Sequence, residues 1–409
     1  MNDSSRLKTS LMPNRESIYF SFLVLSTFAI PFFGIYISES LKIADILIFI
    51  SFFILCYLFL AGYRINKTID LSCIIVSLML LLVSYISRLF CGEYLILDTK
   101  EMIKAFLSTY VLMIFYIIAV KNNQQFINLV VAFVLSVCLN AFLGILETEG
   151  YNIIDIFHSQ SITGGYSLTG RAEGLTMHSN FLGILCAMTV PIVICLDVHI
   201  FKYSIAKILS LILLLNGVII SGSRSALAAT FIVSGLIIIY TNRLNIKKIT
   251  IFLLISASAY LLISLNTNES SGNTSAISRI IEPSNQTSSE SNEERIAIMA
   301  AAIENINKNP IIGNGMRYIQ HAHCIYVQFI ESAGIFGLLS LVSYITFFVI
   351  GGYKFIQKRD ILGIGLSGSV LTFFANGLFS NIVYTRPILI PLYMFAIYLN
   401  LGKRRFYEL

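Results

Sequence analysis

The sequence predicts an all-α, polytopic membrane protein with about twelve spanning helices and one large polar loop on the non-cytoplasmic side. Three observations carry that reading. Of 409 residues, 56% are hydrophobic and only 12% charged, at a mean hydropathy of +0.80, whereas a soluble globular chain carries roughly 25% charged residues. Apolar runs recur along the whole length, each near the ~20 residues that a helix needs to cross a bilayer. Lysine and arginine fall in short clusters between those runs, so the formal charge of +6 reflects topology and does not form a stripe for nucleic acid.

Taken in order, the runs lie near residues 18–37, 44–62, 71–90, 103–120, 125–146, 180–197, 203–221, 225–241, 248–265, 325–353, 361–380 and 386–401. Ahead of the first, residues 1–16 are polar and include Arg6, Lys8 and Arg15. No small-residue cleavage site follows, so the first run is read as a retained helix. The tenth run is longer than one span needs. Gly334 and Gly337 divide it, which predicts first turns that sit above the membrane or form a re-entrant piece. With the N-terminus inside, 17 of the 28 Lys and Arg residues fall in inner segments, and every short inner loop carries at least one base. Both termini are therefore expected in the cytoplasm. Cys56, Cys73, Cys138, Cys186 and Cys195 lie within apolar runs and only Cys91 and Cys324 near outer ends, a distribution that implies no disulfide framework.

Two outer segments, 147–179 and 266–324, are then too long to be turns, and loops of such length are functional or unstructured. Asn266 to Asn292 is rich in Ser, Asn and Thr and reads as flexible. Residues 293–307 differ, because Ile296, Met299, Ala300, Ile303 and Ile306 recur at helical spacing before Asn309 and Pro310 stop the pattern. An amphipathic helix lying against the outer surface is expected there.

There is no phosphate-cradling glycine loop, no paired-cysteine metal spacing and no Gly-x-Ser-x-Gly elbow in the sequence, so ATP-driven chemistry and a metal site find no support. Instead Arg171, His178, Arg224, Arg295, Arg317, His321 and His323 all map to the outer face, although long stretches of chain separate them. Arg224 follows Ser221, Gly222 and Ser223 in a turn squeezed between two apolar runs, so its guanidinium sits at membrane depth, where charge is costly. A snorkelling interfacial arginine is one account of it. The other is a planar fork that grips a phosphate at headgroup level. Arg171 opens the run Arg-Ala-Glu-Gly ahead of His178, Ser179 and Asn180, which begin the sixth span and can cap it. Arg295 lies on the amphipathic helix. His323 stands at the outer mouth of the tenth span, where a neutral imidazole can take a proton from a hydroxyl.

Together these residues resemble the O-antigen ligase and polymerase superfamily, which handles lipid-linked bacterial polysaccharides. Ser221-Gly222-Ser223-Arg224 ahead of an apolar run is similar to its mid-chain signature. Arg295 on a helix, Asn309 through Gly315, His323, and Glu331 through Leu338 resemble its conserved block in order and spacing. Arg171 through Gly174, with His178, Ser179 and Asn180, resembles its first outer motif. The likeness runs from about Arg171 to Leu338, and Cys324 stands where many members have Asn beside the histidine.

The resemblance implies a GT-C-like fold and a metal-independent, inverting glycosyltransferase that needs no cofactor. Its donor would be a glycan on undecaprenyl diphosphate, used at the periplasmic face of the bacterial inner membrane. His323 would be the catalytic base, and Arg171, Arg224 and Arg295 would bind the carrier diphosphate. His178, Asn180, Arg317 and His321 would be further substrate contacts. The acceptor is either another lipid-linked repeat unit, which makes the enzyme a polymerase, or the sugar of lipid A-core, which makes it a ligase. The first outer motif favours the polymerase, and a chain-length regulator is a further implied partner. A lipid-linked sugar transporter with a similar number of spans would place charges near the bilayer midplane and repeat its half-structure. The sequence shows neither.

Overall fold

The computed structural model describes residues 18–38, 41–60, 71–90, 95–151, 171–176, 178–196, 204–242, 286–315, 324–380 and 386–404. In chain order its helices are α1 (Ile18–Ala29), α2 (Ile43–Leu60), α3 (Ser72–Phe90), α4 (Leu95–Phe106), α5 (Leu112–Ala119), α6 (Asn123–Thr148), α7 (Ser179–Cys195), α8 (Ser204–Ile220), α9 (Arg224–Asn242), α10 (Gln286–Lys308), α11 (Ile325–Lys358), α12 (Ile361–Gly377) and α13 (Arg386–Arg404). A π-helical turn, Leu107–Val111, joins α4 to α5.

Eleven of the twelve expected runs coincide with apolar helices, and five of these helices are long and apolar enough to cross a membrane by length and composition alone. The expected ninth span, 248–265, lies outside the described residues, as do residues 152–170 of the first long loop and 266–285 and 316–323 of the second. Large apolar side chains point outward from several helices, among them Phe53 (65% exposed), Ile232 (63%) and Val349 (63%). Lipid is the solvent that suits such a surface.

The structure departs from the expected elements at several places. The first run was expected to remain helical to residue 37, but α1 ends at Ala29. Pro31 has no N–H to donate and disfavours helical backbone at the residue before it. A short antiparallel ribbon follows instead, Tyr36–Ser38 paired with Leu41–Lys42. The fourth run starts earlier than expected, at Leu95, and contains the π turn, which widens the helix by one residue where Tyr110 is buried. The amphipathic helix begins at Gln286 and not at 293, so part of the stretch expected to be flexible is ordered. Once an apolar face has nucleated a helix, each added residue contributes a hydrogen bond at lower entropic cost, and polar residues can extend it without a periodic signal.

The core is built around α7, whose side chains are buried on nearly every face, which is why its sequence carries no amphipathic stripe. Helices α6, α8, α9, α12 and α13 surround it. Helix α12 approaches closely because Gly365 and Gly368 face Pro191: a Cβ at Gly365 would lie 2.9 Å from the Pro191 carbonyl oxygen. Small residues at such contacts let backbones meet where no hydrophobic effect drives helices together.

On the other side, α3 packs along α11. There the Ser77 hydroxyl lies 2.8 Å from the Tyr110 hydroxyl and 2.9 Å from that of Ser340, while Ser340 also donates to the Ser77 carbonyl at 2.7 Å. This network satisfies polar groups that apolar surroundings would otherwise penalise.

The expected division of the tenth run is present. Gly334 has φ 59° and ψ −144°, and breaks α11 nine residues after it starts. The loop after α10 repairs that break. Asn314 N–H donates to the Glu331 carbonyl at 2.8 Å, Gly315 N–H to the Ser332 carbonyl at 3.0 Å, and Ile335 N–H to the Pro310 carbonyl at 2.9 Å. Side chains reinforce the joint, since Asn305 Nδ2 donates to Glu331 Oε1 at 2.9 Å and Asn314 Nδ2 to the Asn305 carbonyl at 2.7 Å. The joint docks on the bundle through Ser84 of α3, which donates to the Ile312 carbonyl at 2.9 Å. Helix α10, with Arg295 on it, is thereby tied to the membrane helices.

Candidate functional site

Three short connections at one end of the bundle build the site. The first is residues 171–176, which descend between α6 and α8. The backbone N–H groups of Glu173 and Gly174 donate to Glu147 Oε2 at 2.8 and 3.0 Å, and that of Leu175 donates to Asn140 Oδ1 at 3.1 Å. The Ala172 N–H donates to the Ile220 carbonyl at 3.0 Å. With its backbone held this way, Arg171 reaches sideways: its Nε donates to the Ser221 carbonyl at 3.0 Å and a terminal nitrogen to Asn180 Oδ1 at 2.6 Å.

The second connection is the start of α7. His178 is its N-cap, with extended backbone and a ring Nδ1 that accepts from the Asn180 N–H at 3.0 Å. The capping expected of this tripeptide is therefore present, and it fixes the tautomer, because an accepting Nδ1 leaves the proton on Nε2.

The third is the turn Ser221-Gly222-Ser223 between α8 and α9. Gly222 has φ 65°, a left-handed conformation that closes α8 and lets α9 start at Arg224 without an intervening loop.

Between these connections lies a cleft of about 590 Å³. Asn180 from α7, Ser223 from the turn, Arg224 and Ser225 from α9, and Arg295 from α10 form its polar wall; Ala228, Ile296 and Phe379 form its apolar wall. Residues separated by more than a hundred positions thus meet in one cavity. Arg171 does not line the cleft but stands directly behind Asn180. The N-termini of α7 and α9 also open here, and each contributes roughly half a positive charge from its unsatisfied N–H groups. Arg295 feels the concentration of charge. Burial, and then the neighbouring Arg224 guanidinium, lower its pKa from the ordinary value, and Glu294 opposes them. An anion placed between two such guanidiniums would remove their repulsion and accept bidentate hydrogen bonds from each.

Of the residues singled out in the sequence, Arg224, Arg295 and Asn180 line the cleft, and Arg171 and His178 support it from behind or cap the helix that lines it. Arg317, His321 and His323 lie outside the described residues. Cys324 is the buried N-cap of α11. The next residue, Ile325, packs where a Cβ on Gly377 would be, 2.4 Å from its Cδ1, and Tyr326 donates to the Phe374 carbonyl at 3.0 Å. The start of α11 therefore adjoins the end of α12, from which Phe379 and Ser380 enter the cleft wall. Those two residues, with Ala228 and Ile296, have no counterpart among the sequence candidates. Phe379, Ser380 and Ala228 lie in or beside apolar runs and Ile296 on the amphipathic helix, and nothing in a linear pattern marks any of them as a cleft residue.

Residues 209–342 match the family model described as O-antigen ligase. No curated protein matches the chain. The apolar helices and this family match together point to a multi-pass membrane protein. The match covers about a third of the chain and takes in the turn bearing Arg224, the helix bearing Arg295 and the joint at Gly334.

Proposed function

We propose that the protein transfers glycan from undecaprenyl diphosphate to a lipid-linked acceptor at the periplasmic face of the bacterial inner membrane, and that it is a surface-polysaccharide polymerase. The observation that carries the reading is the cleft itself, with two guanidiniums and two helix N-termini on one wall and apolar side chains on the other. That combination suits an amphiphile whose headgroup is a dense anion. Its volume, about 590 Å³, falls within the ~300–1,000 Å³ usual for small-molecule sites.

In the proposed reaction an acceptor hydroxyl attacks the anomeric carbon from the face opposite the carrier. The anomeric C–O bond breaks and its electron pair leaves on the diphosphate, which inverts the configuration. His323 takes the hydroxyl proton, and Arg224 and Arg295 receive the charge that develops on the leaving group, with the Arg171 charge behind them. Positive side chains preorganised around a leaving diphosphate do the electrostatic work that a metal ion does in other transferases. Arg317, His321 and His178 remain proposed substrate contacts, and a chain-length regulator a proposed partner. His323→Ala is expected to insert normally and to bind carrier lipid as the wild type does, yet to lose transfer by about 100-fold or more, within the range for a general base; undiminished turnover would remove this imidazole from the mechanism.

The polymerase reading rests on the first outer motif, Arg171 through Gly174. Ligation to lipid A-core is the second reading, favoured by the description of the matched family, and Arg224 and Arg295 serve it equally well. The glycan profile of a strain lacking the protein separates them. Core capped with a single repeat unit is expected for a polymerase. Uncapped core, with lipid-linked polymer accumulating, would overturn that assignment in favour of the ligase, and an unchanged profile would defeat both.

A further inference from the structure

Arg171 and Asn180 are joined by a side-chain hydrogen bond. Asn180 lines the cleft, and its side-chain amide has one end spoken for: Oδ1 accepts from the Arg171 guanidinium at 2.6 Å. An arginine has only donors, so the atom facing it must be the amide oxygen and not the nitrogen. Arg171 is itself held by a second bond, Nε to the Ser221 carbonyl at 3.0 Å, and the Asn180 backbone by the His178 cap at 3.0 Å. The amide can therefore neither flip nor swing without breaking a charge-assisted bond. Its Nδ2 has no partner among the described residues, and it is the end of the group left for the cleft.

We propose that the Asn180 amide presents two N–H donors to the anionic headgroup bound between Arg224 and Arg295, and that Arg171 is a positioning residue which locks this orientation and polarises the amide from behind. The proposal rests on the reading of the cleft as a diphosphate site and assigns Arg171 a different part from the two arginines that line it. Physically, a neutral donor here adds directionality to a wall that already carries Arg224 and Arg295, without placing a third cation on it. Hydrogen bonds to a charged partner are each worth roughly 10- to 100-fold in affinity.

The test uses the full chain in lipid nanodiscs, with undecaprenyl diphosphate and undecaprenyl monophosphate as probes. Asn180→Asp keeps the oxygen that faces Arg171 but replaces both donors with an anionic oxygen. It is expected to melt like the wild type, to bind the diphosphate at least 10-fold more weakly, and to lose most of the preference for diphosphate over monophosphate. Asn180→Ala and Arg171→Lys should each weaken diphosphate binding about 10-fold, and the double variant should be no weaker than either single one, because both remove the same oriented donor. Should Asn180→Asp fail to fold, that comparison of single and double variants decides the matter. Wild-type affinity and selectivity in Asn180→Asp, or additive losses in the double variant, would overturn the proposal. Wild-type protein that binds neither lipid, or an Arg224→Ala variant that binds the diphosphate unimpaired, would instead bring down the reading of the cleft on which the proposal stands.

Discussion

Arg224→Ala is expected to abolish glycan transfer while leaving the protein inserted and folded. The side chain is half-buried and lines the cleft at the first residue of α9, so truncating it removes cleft wall without opening the core. A guanidinium that makes two charge-assisted bonds to a phosphate contributes about 3–5 kcal/mol, or roughly a hundred- to several-thousand-fold in rate when that charge grows in the transition state. Arg224→Lys should lose a large part of the same effect, because an ammonium cannot reproduce the planar fork. The measurement is turnover of lipid-linked glycan by purified protein, alongside a thermal melt. A lysine variant at full rate would show that only charge matters at this position, and an alanine variant at full rate would remove Arg224 from the site.

The second large effect is expected at the joint that carries α10. Gly334→Ala should destabilise the protein by more than about 3 kcal/mol, from a backbone region that side chains avoid and from a direct overlap. A Cβ there would lie 2.3 Å from the Ile311 carbonyl oxygen, and the neighbouring Gly313, at φ 74°, is equally crowded, with a Cβ only 2.4 Å from the Ala333 nitrogen. Two chains meet backbone to backbone, so neither can retreat without losing the hydrogen bonds that cover the break in α11. Gly235→Ala, where a Cβ would meet nothing within 4 Å, is the control and should melt slightly higher, since alanine favours helix over glycine. Because α10 bears Arg295, any Gly334→Ala protein that does fold should also bind carrier lipid poorly. Equal melting temperatures for the two variants would show that the joint does not hold the helix in place.

Much of this architecture is legible in the linear sequence, and the residues show why. Bilayer solvation demands long apolar runs, so α3, α6, α9 and α11 stand out by length and composition. The break in α11 is readable because Gly334 and Gly337 interrupt an overlong run, and the end of α10 because Asn309 and Pro310 follow it. The early end of α1 is signalled by Pro31, yet hydropathy alone carries the reading past it. The start of α10 is not readable, because its first residues are polar and have no periodic apolar face. Phe379 and Ala228 are invisible as cleft residues, since an apolar side chain that lines a cavity is indistinguishable in sequence from one that faces lipid.

Sequence alone determined that this chain lives in a membrane and that costly cations recur beside its spans, because hydration penalties act on each segment independently of how the segments pack. Tertiary structure alone decided which of those cations share a cavity. The bonds from the Arg171 side chain to Ser221 and Asn180, the meeting of Arg224 with Arg295, and the clamp of Pro310 through Gly315 on Gly334 are contacts between remote segments. They depend on the relative placement of whole helices, which close packing settles and no local pattern encodes.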